Sequence, residues 1–297
     1  MMDIITRGRL KQMRLTGMVE CLEHLAAPDA AATLTTIDIV KMMTDREWER
    51  RHNSKLHRLR RAADLAQPHA DVTDLRVLPD RTLDTDLIGR LAVGNYIAKH
   101  EDVIVLGPTG SGKSYIACAL GNKAVQQYKS VLYLRTIDLF DKLTIAERAG
   151  TRGQTLAKLV KVDLLILDEW FTSPPTVEQV RNLHALIERR TAVGSTIFAS
   201  QIPPAKWHDQ IEEKVVADAI CDRITANAHK MTLTCKDSLR RVFKPIDQPP
   251  EEHGEPPPNP GWLTTTSNPA HPLRANRLLG KSRVAQQREH SGSNRRK

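Results

Sequence analysis

The chain has 297 residues, of which 40% are hydrophobic and 27% charged, and its 44 Lys and Arg outweigh 35 Asp and Glu for a net charge of +9. This size allows one large domain with appendages or two domains, and the basic balance favours a polyanionic partner, nucleic acid ahead of membrane. No apolar run is long enough to span a bilayer, none at the N-terminus has signal-peptide length, and Cys21, Cys118, Cys221 and Cys235 fit no zinc spacing, so a cytoplasmic protein with reduced thiols is expected.

Residues 1 to about 75 read as helical. Leu10, Met13, Leu15, Met18, Cys21, Leu22 and Leu25 recur at helical spacing, and Pro28-Asp29 is expected to break that helix. A second helix is expected from Ile37 to Leu65. It becomes strongly basic, with Arg46, Arg50, Arg51, Lys55, Arg58, Arg60 and Arg61, and Gln67-Pro68-His69 follows it. Glu47 and Glu49 could pair locally at helical spacing.

From about 76 to 246, short apolar runs alternate with helical patterns. Val103–Leu106, Val131–Leu134, Leu164–Leu167, Thr196–Ala199 and Lys230–Leu233 read as strands. Between two of them, Val177, Val180, Leu183 and Ile187 share one face of a helix running to Arg190. Strands spaced by helices imply a parallel sheet covered on both sides.

The run Gly107-Pro108-Thr109-Gly110-Ser111-Gly112-Lys113-Ser114 follows the first of these strands and precedes an apolar helix that opens at Tyr115. The glycines let the loop curl so that backbone N–H groups and the helix N-terminus face an anion. Lys113 can reach β- and γ-phosphates, and Ser114 can hold magnesium. Cys118, on the same helix, is expected to face the core. Leu164-Leu-Ile-Leu-Asp168-Glu169 then ends a hydrophobic strand in two acids. Asp168 can hold the magnesium through water, and Glu169 can polarise the water that attacks the γ-phosphate. Ser200 or Gln201, at the end of the next strand, could orient that water or equally be a solvent-facing strand end. Arg223 follows an apolar helix, where it could reach a neighbouring subunit's γ-phosphate or form a surface ion pair.

Residues from about 248 onward open on Pro249-Pro250 and Pro256-Pro257-Pro258, then become polar and basic. Such a stretch cannot bury enough apolar surface to offset its chain entropy and is expected to be disordered.

Together these residues resemble the IstB-like ATP-binding proteins, helper ATPases of insertion-sequence transposition within the AAA+ superfamily. The resemblance rests on Leu106-Gly-Pro-Thr-Gly-Ser-Gly-Lys-Ser114, Asp163-Leu-Leu-Ile-Leu-Asp-Glu-Trp170 and Ser195-Thr-Ile-Phe-Ala-Ser-Gln-Ile202. Trp207-His208, Ala217-Asp-Ala-Ile-Cys-Asp-Arg223, Asn227-Ala-His229, Ser238-Leu-Arg240 and the N-terminal Arg14-Leu-Thr-Gly-Met18 extend it over roughly residues 5 to 245. It implies an α/β AAA+ P-loop fold whose parallel sheet is flanked by helices. A small helical N-terminal domain (1–75) would contact a partner or DNA, the ATPase domain would span 76–246, and a Pro-rich basic tail would follow (247–297).

Carried over by residue, the resemblance makes Lys113 and Ser114 the Walker A pair and Asp168 and Glu169 the Walker B pair. Ser200-Gln201 becomes the sensor I corner, Arg223 the arginine finger, and Arg240 a sensor II arginine. The cofactors implied are ATP and Mg2+. The partners implied are duplex DNA, a cognate transposase and further copies of the chain in a ring or spiral, with no membrane. Relatives place an extra helix facing DNA between the second and third core strands, where this chain carries Lys142, Arg148, Arg152, Lys158 and Lys161. The basic tract Arg46–Arg61 could contact DNA or the transposase. A DnaC-type helicase loader shares the chemistry and fold and differs in its client. A non-catalytic DNA-binding adaptor would not need Glu169, and a small-molecule kinase would not need the basic surface.

Overall fold

Five strands form a wholly parallel sheet in the order β3-β4-β5-β2-β6. They are β2 (Asp102–Leu106), β3 (Val131–Arg135), β4 (Leu164–Trp170), β5 (Ser195–Ser200) and β6 (Ala228–Thr232), with a short β1 (Arg81–Thr82) and β7 (Thr234–Cys235) pairing antiparallel outside the sheet. The computed structural model describes residues 3–26, 34–76, 81–235 and 238–239. Arg240, the Pro28-Asp29 break and the tail from 247 to 297 lie outside the described residues.

The strands read as continuous apolar runs because both faces of the sheet are covered. Successive side chains alternate between two cores. Val103, Val105, Leu164, Ile166 and Ile197 join one, whereas Ile104, Leu165, Leu167 and Phe198 join the other. The first core is closed by α4 (Thr85–Ala92), α5 (Asn95–Ala98) and α6 (Lys113–Gln126), the second by α7 (Thr136–Arg148), α8 (Arg152–Lys161), α9 (Val177–Arg190) and α10 (Lys214–Ala226). The helix expected from Val177 to Arg190 is α9, which Thr176 and Gln179 open with a reciprocal capping box. Cys118 on α6 is fully buried, and burial pushes its thiol up to about 11, which keeps it protonated in the core.

The helix expected across Leu10–Leu25 is two helices, α1 (Ile4–Gln12) and α2 (Thr16–Leu25). Arg14 takes φ +59° between them, and its carbonyl accepts from Arg50 Nη2 at 3.1 Å. The break turns α2 against α3 (Thr36–Ala63). There Gly17 lies so close that an added Cβ would fall 2.8 Å from the Glu47 Cα. Glu47 is buried at this crossing and accepts from Gly17 N at 2.7 Å, Arg50 Nη2 at 2.7 Å and Arg51 Nε at 2.6 Å. The other end of α3 joins the sheet: Ala63 and Leu65 belong to the first core, with Leu56 and Leu59 packed against it.

Candidate nucleotide-binding site

The order of the sheet brings three strand ends together. The chain leaves β2, crosses to the far edge at β3, returns through β4 and β5, and crosses β2 to reach β6, so β2 is the switch point outside which open parallel sheets bind ligands. A cavity of about 460 Å³ lies there. The loop after β2 supplies Thr109, Gly110, Gly112, Lys113, Ser114 and Tyr115; the end of β4 supplies Asp168 and Glu169; the end of β5 supplies Gln201.

The loop is held by its own backbone. Gly110 at φ +79° and Gly112 at φ +92° occupy the left-handed region that glycine enters without penalty. A Cβ at Gly110 would strike the Ser238 side chain, and one at Gly112 would lie 2.9 Å from Arg81 Nη2. Lys113 Nζ donates to the Pro108 carbonyl at 2.9 Å, across the mouth of the loop. Thr109 Oγ1 donates to Gln201 Oε1 at 2.9 Å, tying the loop to the end of β5. The Ser111 hydroxyl is buried with no hydrogen-bond partner. A glycine cradle, an N-terminal helix end, a lysine and a hydroxyl beside a carboxylate fit a magnesium nucleotide.

Asp168 and Glu169 sit where β4 leaves its register with β5, between Leu167 and Trp170. Asp168 is 3% exposed and fixed from two sides, accepting from Tyr133 Oη at 2.8 Å and from Glu169 N at 2.8 Å. Burial, reinforced by the Asp168 carboxylate, pushes the Tyr133 phenol far above its ordinary range, so the hydroxyl stays protonated and donates. Glu169 is exposed at φ +56°, a conformation that costs a non-glycine residue of order 1–3 kcal/mol and tends to persist at functional sites.

The structure separates the remaining candidates. Gln201 lines the cavity, but Ser200 does not. The Ser200 hydroxyl is buried, 2.9 Å from the Trp170 carbonyl and 3.0 Å from that of Ile202, and it accepts from Ile202 N at 3.1 Å. Its hydrogen bonding is spent on shaping the turn. Arg223 stands away from the cavity on α10, with Nη1 donating to the Ala219 carbonyl at 3.1 Å and Nη2 3.7 Å from Glu188 Oε1. Lys142 and Arg148 lie exposed on α7, and Lys158 and Lys161 exposed on α8. Arg152 differs: its Nε donates to Asn182 Oδ1 at 2.6 Å, which ties α8 to α9. The end of α8 is anchored by the buried Arg190, whose guanidinium donates to the Leu159, Val162 and Ser195 carbonyls.

Sequence reasoning missed two residues here. Arg81 is 7% exposed, lines the cavity and donates to the Ser111 carbonyl at 3.1 Å, while its Nε has no partner. It reaches the loop through the β1–β7 pairing, a contact across some 150 residues that no local pattern announces. Tyr133 did leave a signal, since a tyrosine inside a buried strand needs a partner for its hydroxyl.

Comparison with known proteins places this site in context. Residues 8–244 match the family model of IstB-like ATP binding proteins. The insertion-sequence ATP-binding protein y4uH of Sinorhizobium fredii is 36% identical over 242 residues, 82% of this chain and 97% of that protein. The insertion sequence IS1162 ATP-binding protein of Pseudomonas fluorescens is 40% identical over 203 residues, 68% of this chain and 88% of that protein. Among solved structures, AMPPCP-bound DnaA from Aquifex aeolicus matches with a TM-score of 0.50 at 19% identity, over 60% of this chain and 54% of that one. The last likeness shows the AAA+ fold.

Proposed function

This chain belongs to the IstB-like ATP-binding protein family, whose named relatives are insertion-sequence ATP-binding proteins, and from that premise we propose that it is a DNA-assembled ATPase that assists transposition. The observation that carries the reading is the convergence of the phosphate loop, Asp168, Glu169 and Gln201 on one cavity. ATP is held by the loop N–H groups of Thr109, Gly110 and Gly112, by Lys113 and by the helix N-terminus beside Ser114 and Tyr115. Ser114 and Asp168 hold magnesium, which when bound offsets phosphate charge. Gln201 orients a water and Glu169 accepts its proton. The water oxygen bonds to the γ-phosphorus as the bond to the β,γ-bridging oxygen breaks, and ADP and phosphate leave.

In this reading Arg223 of the partner subunit completes the site, in keeping with its position outside its own cavity. Nucleotide binding then favours a ring or spiral of copies. Exposed Lys142, Arg148, Lys158 and Lys161 contact duplex DNA through phosphates, without sequence preference and with strong salt sensitivity. Residues 1–75 engage the cognate transposase or DNA, 76–246 run the ATP cycle, and 247–297 add non-specific attraction to DNA. The multimer marks or deforms the target and recruits the transposase, and hydrolysis releases it.

Glu169→Gln tests this directly. It should bind ATP with near wild-type affinity, hydrolyse it at least about a hundredfold more slowly, and sediment as a persistent multimer on duplex DNA in ATP. Rapid disassembly of that variant in ATP would remove Glu169 from the role. A chain that assembles and turns over but captures a hexameric helicase in place of the transposase would be a helicase loader.

A further inference from the structure

The basic half of α3 carries an aromatic array that the nucleotide site does not use. Trp48 is 59% exposed. His52, one turn later, stacks on it with ring centroids 3.5 Å apart, and Tyr128 from the segment after α6 meets His52 edge-on at 5.4 Å. Lys55 Nζ stands 4.9 Å from the centre of the Tyr128 ring. Residues 50–61 contain six Lys and Arg and no Asp or Glu. Of the nearby acids, Glu47 is buried and already engaged by Gly17, Arg50 and Arg51, and the exposed Asp45 and Glu49 precede the run, so they do not sit beside Lys55 or Arg58. At helical spacing Arg51, Lys55 and Arg58 form a ridge beside the indole.

We propose that this surface binds a DNA strand through an unstacked base laid on Trp48, with Lys55 and Arg58 on the adjoining phosphates. Resting on the reading of the protein as DNA-binding, this refines it by naming the form of DNA recognised. Charge complementarity makes the occupant a polyanion. The indole selects among polyanions, because His52 already covers part of it and a purine or pyrimidine face suits the remainder. Intact B-form duplex offers side chains the base edges in its grooves and the phosphates. A base face is accessible only in a single strand, a bulge or a kinked step, which is the form of DNA produced when a target is deformed.

The platform is separate from the ATP cavity. The phosphate loop caps the first residue of α6, and Tyr128 follows its last, so the two lie about 20 Å apart at 1.5 Å per residue. Substitutions on the platform therefore leave the ATP site intact.

The experiment uses the full chain carrying Trp262→Phe. Of the tryptophans left, Trp170 and Trp207 are fully buried and Trp48 is exposed, so Trp48 reports the surface. Oligo(dT) should quench its emission, and blunt duplex should quench it less at equal saturation. Trp48→Ala should weaken oligo(dT) binding by about 5- to 150-fold, the range for one stacked base, while duplex affinity and ATP turnover stay unchanged. Trp48→Phe should restore much of the loss. Lys55→Gln with Arg58→Gln should flatten the salt dependence for both DNAs. Unchanged oligo(dT) affinity in Trp48→Ala would overturn the proposal. So would a variant that keeps its DNA affinity and loses only transposase capture, since the platform would then be a protein dock. A parent chain that binds neither DNA form, yet still hydrolyses ATP, would overturn the DNA-binding reading beneath it as well.

Discussion

Asp168 and Glu169 are neighbours in sequence with opposite surroundings, one buried and one exposed, and that difference supports the separate roles proposed for them. Asp168 is enclosed and held by Tyr133 Oη and Glu169 N, which fixes the carboxylate that the proposed function gives to magnesium. Glu169 is exposed at the cavity on a left-handed backbone, where its carboxylate can meet water. Tyr133→Phe should therefore raise the Mg2+ concentration for half-maximal turnover by about tenfold, in the range seen when a group supporting a metal ligand is lost. Nucleotide binding in EDTA should not change. An Mg2+ titration of turnover checks this, and an unaltered midpoint would leave Tyr133 a packing residue. Arg223→Ala should bind ATP normally and lose about 10³- to 10⁵-fold in DNA-stimulated turnover, the usual contribution of an arginine finger. Wild-type turnover in that variant would exclude Arg223 from the site. Most of the cavity lining around the phosphate loop, Asp168 and Glu169 was legible in the sequence, because a phosphate loop and an acid-terminated strand are local patterns. Arg81 was not, because its place depends on a pairing of β1 with β7 far along the chain. The choice between Ser200 and Gln201 needed the turn geometry that spends the Ser200 hydroxyl.

At the scale of elements, the strands and α9 were readable from apolar runs and helical periodicity, since each had to bury one face or both. The break at Arg14 was not, because apolar spacing continues through it and the cause lies on another helix. Gly17 must approach the backbone of α3 closely, and Glu47 must meet its N–H, Arg50 and Arg51 at one point. Hydrogen bonds from Arg50, then from Arg51 and Gly17, overcome burial and lower the Glu47 pKa from an ordinary 4.5 to about 2. The folded value lies below the unfolded one, so the stabilisation is fully present above about pH 4.5 and fades as pH falls toward 2. Glu47→Gln should cost about 2–3 kcal/mol at neutral pH. The gap in unfolding midpoint between the variant and wild type should narrow between pH 6 and pH 3. A gap that does not change with pH would mean that Glu47 acts through packing and not through its charge.

The whole molecule joins an ATP cavity at one end of α6 to the basic half of α3 at the other, with exposed lysines and Arg148 on α7 and α8. Among the described residues no helix is long and apolar enough to cross a membrane. Under the proposed function, the net charge of +9 serves as a surface for DNA, on which copies would assemble and complete one another's sites. The most direct test of that claim is ATP hydrolysis by the full chain, with and without duplex DNA, across a salt series. Turnover should rise steeply with duplex and lose that stimulation as salt displaces phosphate contacts. Steady turnover indifferent to duplex at every salt concentration would contradict it.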